Sequence, residues 1–81
     1  MATVYVIRSA QGHRYVGCTE DLGRRLAQHN EHKAGWTKRG TSWQVIHTEE
    51  FPSLSQARRR ERWLKTGAGR LFLDSISSSG S

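Results

Sequence analysis

Thr3 to Arg8 reads TVYVIR, a β-branched and aromatic run that predicts a strand. Residues 9–12 (SAQG) carry a turn signal, and His13 to Gly17 (HRYVG) predicts a second short strand, so the two should form a hairpin. A turn centred near Ala10 would set Tyr5 and Tyr15 opposite or nearly opposite each other. Thr19 reads as a helix N-cap, with Glu20 and Asp21 in the first turn, where the helix dipole favours acids. That helix is expected to run from about Glu20 to about His32, with Leu22 and Leu26 as its apolar seam. Glu31 to Thr41 is a glycine-containing basic loop, and Ser42 to Phe51 predicts a strand in which Trp43, Val45 and His47 alternate with Gln44, Ile46 and Thr48. Past Pro52, Ser53 or Ser55 would cap a second helix reaching about Lys65, and Gly67 would terminate it. Arg70 to Ile76 suggests a short third helix or turn. The order β-β-α-β-α-α predicts an α+β domain with a small three-stranded, mainly antiparallel sheet flanked by helices. Residues 1–76 would form that domain, and Ser77 to Ser81 (SSSGS) a disordered tail.

Size and charge narrow the function. Eighty-one residues leave room for a single thin core, which excludes multi-layer enzymes and dinucleotide-binding folds. Lys+Arg is 13 against Asp+Glu 7, a formal charge of +6. Ten of those cations are arginines, whose planar fork matches phosphate, so a phosphate-rich partner is favoured. The single cysteine, Cys18, cannot form an internal disulfide, and with four widely spaced histidines it makes no structural zinc site. A reducing cytoplasmic setting fits this composition. The early apolar run Val4 to Ile7 is far too short for a signal peptide or a membrane span.

Some residues conflict with simple patterning. On the second helix Leu54, Ala57, Glu61 and Leu64 share one face, which sets a carboxylate on or beside an apolar stripe. Such a charge needs a partner, and two readings stand equal: an ion pair with a nearby arginine, or a cation ligand. Arg25 and His29 lie four apart beside the Leu22/Leu26 seam. Spacing alone favours a plain reading, with Arg25 paired to Asp21 and His29 at the helix end. Tyr5 and Tyr15 read as cross-strand packing unless both hydroxyls reach the same pocket as Arg25 and Glu61. Trp63 is expected to pack under a loop, against Trp36 or Trp43, and Cys18 to be a small buried filler.

TVY at Thr3-Val4-Tyr5 followed by YVG at Tyr15-Val16-Gly17 resembles the GIY-YIG endonuclease superfamily. The family's helix arginine falls on Arg25, its His-or-Tyr on His29, and its metal-ligand Glu on Glu61, inside ARRRERWLK. The match spans roughly residues 3–73, and the stretch from Glu49 to Leu73 looks like small stand-alone bacterial members. Thr3 stands where the family has glycine. Many members carry an asparagine in a C-terminal helix after the Glu, whereas the one asparagine here is Asn30.

The resemblance implies a metal-dependent endonuclease of low sequence specificity acting on DNA, with a nucleic-acid-binding module of weak or no catalysis as the alternative. Tyr5, Tyr15, Arg25, His29 and Glu61 are the implied catalytic set. Tyr5 would act as general base or water-orienting group, Tyr15 would position water or phosphate, and His29 could accept a proton. Arg25 would bind a phosphate oxygen. With few acids to cluster, one Mg²⁺ held by Glu61, or Mn²⁺ in its place, suits the chemistry better than a two-metal site. Lys38, Arg39, Arg58, Arg62, Lys65 and Arg70 are expected to track the nucleic-acid backbone. The substrate's strandedness, and DNA against RNA, stay open. The expected state is a monomer or weak homodimer with no membrane partner.

Overall fold

The computed structural model describes residues 1–31 and 41–78. Their elements are β1 (Ala2–Arg8), β2 (Arg14–Thr19), α1 (Leu22–Asn30), β3 (Gln44–Phe51), α2 (Leu54–Leu64) and α3 (Gly67–Ser78). The three strands form one sheet in the order β2-β1-β3, with both neighbouring pairs antiparallel. The α+β class and the order β-β-α-β-α-α are as the sequence predicts.

The central strand explains its own composition. Val4, Tyr5, Val6 and Ile7 are all buried, because β1 is covered on both faces and needs apolar side chains in both directions. Ala2, Val4 and Val6 join Val16 of β2 against Ala57 and Leu64 of α2 and Leu73 of α3. Tyr5 and Ile7 point the other way, to Trp43 and Tyr15, and pack on Leu22 and Leu26 of α1. The sheet therefore lies between α1 on one side and the α2–α3 pair on the other.

Register differs from expectation in two places. Arg8 pairs with Arg14, so the hairpin turn is longer than a turn centred near Ala10 would give. It is closed by Ser9 N–H to the His13 carbonyl (2.9 Å) and Gly12 N–H to the Ser9 carbonyl (3.0 Å). Gly12 takes φ 90°, a conformation that favours glycine. As a result Tyr5 faces Gly17, and Tyr15 faces Ile7. In β3 the pairing slips between Val6 and Ile7, so His47 pairs with Val6 while Val45 pairs with Ile7. Ile46 is the extra, exposed residue of this bulge. Val45 and His47 consequently lie on opposite faces, against the simple alternation read from sequence.

The helix boundaries also shift. Asp21, not Thr19, caps α1: its Oδ1 accepts from Arg24 N–H at 3.1 Å, while Thr19 Oγ1 is used by the amide of Asp21 at 3.1 Å. The helix ends at Asn30, earlier than expected, and the Asn30 side chain clamps the backbone of Trp43. Trp43 N–H donates to Oδ1 (2.7 Å), and Nδ2 donates to the Trp43 carbonyl (3.3 Å). Ser53 caps α2 by accepting from Gln56 N–H at 3.3 Å. Gly67 opens α3 rather than merely ending α2, because Thr66 Oγ1 accepts from Gly69 N–H at 3.2 Å and starts a new helical turn. α3 continues through Ser78; the rest of the Ser/Gly tail, 79–81, lies outside the described residues.

Gly69 is where α3 approaches α2 most tightly. A Cβ there would collide with the Trp63 carbonyl oxygen and the Leu64 backbone, neither of which can swing aside. Gly69→Ala is expected to force the two helices apart and cost about 2 kcal/mol or more. Urea denaturation of the variant checks this; a wild-type midpoint would show that α3 can move freely.

Candidate active site at the β2 edge

Gly17 organises the site. A Cβ on Gly17 would lie 2.6 Å from the Tyr5 hydroxyl and 2.9 Å from Tyr15 Cε1, so its bare backbone leaves the space that both rings use. The ring centroids of Tyr5 and Tyr15 are 6.2 Å apart, and those of Tyr15 and His29 are 5.0 Å apart. The Tyr5 hydroxyl lies 2.9 Å from His29 Nε2. The Arg25 guanidinium lies against the hydroxyls of Tyr5 and Tyr15, which interact with its charge, and donates to Gln28 Oε1 at 3.0 Å. Among the described residues it makes no ion pair with Asp21, whose carboxylate is taken by the helix cap. The plain reading of Arg25 from spacing is therefore replaced by contact with both tyrosines.

Arginine can only donate, so it meets the tyrosine oxygens through its N–H groups. Across the Tyr5–His29 contact the imidazole tautomer sets the direction: with the ring proton on Nδ1, the tyrosine donates to Nε2. Burial, reinforced by the Arg25 charge, pulls His29 down to about 4, so the ring is neutral at physiological pH. Burial pushes the Tyr5 hydroxyl up to about 12, more than its bond from Arg25 pulls it down. Tyr5 is thus held protonated, because desolvation outweighs the neighbouring Arg25 charge.

The depressed His29 makes a stability prediction. His29 is fully buried and neutral when folded but takes a proton near pH 6.5 when unfolded. The unfolded state binds more protons between those values, so stability is complete above about pH 6.5 and falls as pH drops toward about 4. The loss is expected to approach about 3 kcal/mol. Urea midpoints measured from pH 7.5 down to 4.5 should fall, and fall less in His29→Gln; identical slopes would place the effect elsewhere.

Glu61 reaches the same centre from α2, on the other side of the β2 edge. Its side chain is 19% exposed, and Lys65 Nζ donates to its Oε2 at 2.6 Å. Burial pushes this carboxyl up, but the Cys18 thiol, the Lys65 ammonium and the Arg58 charge outweigh it and hold it below its usual range. Cys18 is therefore not inert filler. Burial and the neighbouring Glu61 carboxylate raise the thiol to about 11, so it stays neutral beside that acid. Of the two readings held equal from sequence, the ion pair is present with a lysine one turn on as the partner, not an arginine. Lys65 Nζ also stands 5.9 Å from the Tyr15 ring, which links Glu61 to the tyrosines.

A cleft of about 440 Å³ opens on the α1 side of this centre, where Arg24 and Arg25 of α1 meet Cys18 of β2 and Arg58 of α2. The arginine run of α2 is divided by helix geometry. Arg58 turns to this cleft, while Arg60 forks onto Glu49 (2.8 and 3.2 Å) and stacks 4.5 Å from the Trp63 ring. Trp63 packs against Phe72 at 6.1 Å, not against Trp43, which lies on the far face of the sheet. Arg62 is exposed on α2 and does not line the cleft. Lys38, Arg39 and Trp36 lie outside the described residues.

Among the described residues no group of three His, Cys, Asp or Glu side chains could hold a metal. Glu61 is an ionised carboxylate, a donor type that suits a hard cation, but the Lys65 ammonium already faces it and a cation would have to displace that contact. Sequence reasoning missed the supporting parts: Gln28 on Arg25, and Cys18 and Lys65 on Glu61. The Lys65 contact was accessible as an i, i+4 pair; the Cys18 contact depends on how α2 crosses β2.

A small domain with two tyrosines, an arginine and a carboxylate gathered at one sheet edge is organised as a nuclease domain. The GIY-YIG catalytic domain matches residues 1–70, and the chain belongs to the GIY-YIG family, a nuclease superfamily. Its relatives include a UPF0213 protein of Halobacterium salinarum, 44% identical over 80% of this chain and 86% of the relative. A UPF0213 protein of Staphylococcus saprophyticus is 31% identical over 91% of this chain and 92% of its own. The solution NMR structure of a UPF0213 protein from Bacillus halodurans superposes with a TM-score of 0.56 at 30% identity, covering 94% of this chain and 85% of that one. No helix among the described residues is long and apolar enough to cross a membrane.

Proposed function

We propose that this protein is a divalent-metal-dependent endonuclease that hydrolyses phosphodiester bonds in DNA with low sequence specificity. The observation that carries the reading is the gathering of Tyr5, Tyr15, Arg25 and His29 around Gly17, with Glu61 arriving from the opposite layer.

Each residue then has a task. Arg25 donates to a non-bridging oxygen of the scissile phosphate and strengthens that bond as charge accumulates. Tyr15 positions the phosphate or the attacking water. Tyr5 orients the water: its oxygen takes the water's proton as its own proton passes to neutral His29 Nε2. Bond breakage releases the 3′ oxygen, which is protonated from solvent. Glu61 would hold Mg²⁺, or Mn²⁺ in its place, together with water and phosphate oxygens; the ion would supply positive charge at the leaving oxygen. A monomer has one such site and would cut one strand per encounter.

A second reading draws on Lys65. Its ammonium sits on the carboxylate proposed to hold the metal, as a permanent counter-cation would in a module that binds nucleic acid without cutting it. The test is a cleavage assay on labelled single-stranded, duplex and branched DNA and on RNA, with Mg²⁺, Mn²⁺ or EDTA. Metal-dependent cutting supports the nuclease. Binding without cutting on every substrate supports the module.

A further inference from the structure

On the other side of Tyr15 from the Arg25 cleft lies a second cleft of about 440 Å³. Buried Leu64 and Leu73 supply its apolar lining and Tyr15 one wall, while Arg14, Lys65 and Arg70 supply charge from three separate elements. Like charges brought together this way repel unless an anion sits among them. Two have carboxylates nearby: Arg14 Nη1 donates to Asp74 Oδ1 at 2.8 Å, and Lys65 to Glu61 at 2.6 Å. Arg70 has no ion pair among the described residues. Thr66 and the opening of α3, whose amide groups favour anions, lie between Lys65 and Arg70 in sequence.

The two clefts flank one strand. Arg14 begins β2 and Thr19 ends it, and this edge strand spans about 17 Å at the usual rise per residue. One cleft holds Arg24, Arg25 and Arg58 together with the acids Glu20 and Asp21, beside Cys18 and Thr19; the other takes its charge from Arg14, Lys65 and Arg70. Gly17 and the tyrosines lie between them. Lys65 and Tyr15 belong both to the second cleft and to the reacting centre, so an anion seated there would be one position along from the scissile phosphate.

We propose that the Arg14–Lys65–Arg70 cleft seats the phosphate next to the scissile one, and that the substrate is a single polynucleotide strand laid along the β2 edge. This rests on the nuclease reading for its location, and it adds the path and form of the substrate. Asp74 holds Arg14 in the place the phosphate would take, so an incoming strand must displace that carboxylate.

The test reads binding, not cleavage. Fluorescence anisotropy is measured in EDTA with Glu61→Gln protein and short labelled single-stranded DNA and RNA, across a salt series, with a DNA duplex beside them. Arg70→Gln in that background is expected to weaken single-strand binding about fivefold to tenfold and to flatten the log–log salt slope by about 0.7, one phosphate contact. Arg59→Gln, an exposed cation on α2 that lines neither cleft, is expected to change neither. Asp74→Asn is expected to tighten binding about twofold because it frees Arg14, and thermal melts confirm that each variant is folded.

Unchanged affinity and slope in Arg70→Gln would overturn the proposal, as would weaker binding in a folded Asp74→Asn. Tighter binding of duplex than of single strand would overturn the single-strand path. A wild-type protein that cuts nothing would refute the nuclease reading without altering these affinities, so the two failures are separable.

Discussion

Glu61→Ala is expected to abolish cleavage, by roughly 10³-fold or more, while the protein stays folded. Both halves follow from where the carboxylate sits. Glu61 is the acid that α2 delivers to the tyrosine–arginine centre, held ionised there by Cys18, Lys65 and Arg58. Removing it takes away the group proposed to hold the metal and leaves Lys65 as an unneutralised cation beside the phosphate. The fold loses little. Glu61–Lys65 is an i, i+4 pair whose ammonium is about half exposed, and such pairs contribute about 0.3–0.5 kcal/mol. Cleavage rate and thermal midpoint should be read together, with Mn²⁺ binding followed by calorimetry. Near wild-type cutting would remove Glu61 from the mechanism. Lost activity with unchanged Mn²⁺ affinity would move the metal role to another group.

Arg25→Ala is expected to lower the cleavage rate by about 10²–10³-fold. Arg25→Lys should recover little of it, because an ammonium cannot span two tyrosine hydroxyls and Gln28 as a planar fork does. A change of fold would also reduce activity, so a second readout is needed. The Arg25 charge helps hold His29 down and the bond from Arg25 restrains the rise of Tyr5. In Arg25→Ala the His29 titration followed by NMR should therefore move up from about 4, and Tyr5 should become still harder to ionise. A His29 titration that stays in place would mean that Arg25 does not act on the tyrosine–histidine pair.

Much of the fold was readable because its signals are local. The continuous apolar run of β1 marks a strand buried on both faces, and Ser53 marks the start of α2. The boundaries that moved are those set by competition between neighbours. Thr19 and Asp21 are both able caps, and Asp21 wins because Thr19 is spent on its amide. Gly67 carries a helix-ending signal that Thr66 converts into a helix start.

The candidate site was legible as residue types and not as contacts. Tyr5, Tyr15, Arg25, His29 and Glu61 could be named through their resemblance to a family motif, and the structure brings them to one sheet edge. Their electrostatics could not be named. Whether Arg25 lowers Tyr5 or burial raises it depends on how deeply the ring is covered, and Leu22 and Leu26 on α1 help set that depth.

The sequence by itself determined the class of the fold, the order of its elements, the basic character of the surface and the residues from which a phosphate-processing site could be built. The first three follow from periodicity and composition, which act over a few residues at a time, and the last from the resemblance to a family motif. The tertiary structure alone decided that Tyr5 faces Gly17, that a bulge at Ile46 turns Val45 and His47 to opposite faces, and that Cys18 reaches Glu61 across two elements. It also decided that two cationic clefts lie at opposite ends of β2. Register, bulges and helix crossings are settled by packing among segments far apart in the chain, and that is information no local pattern contains.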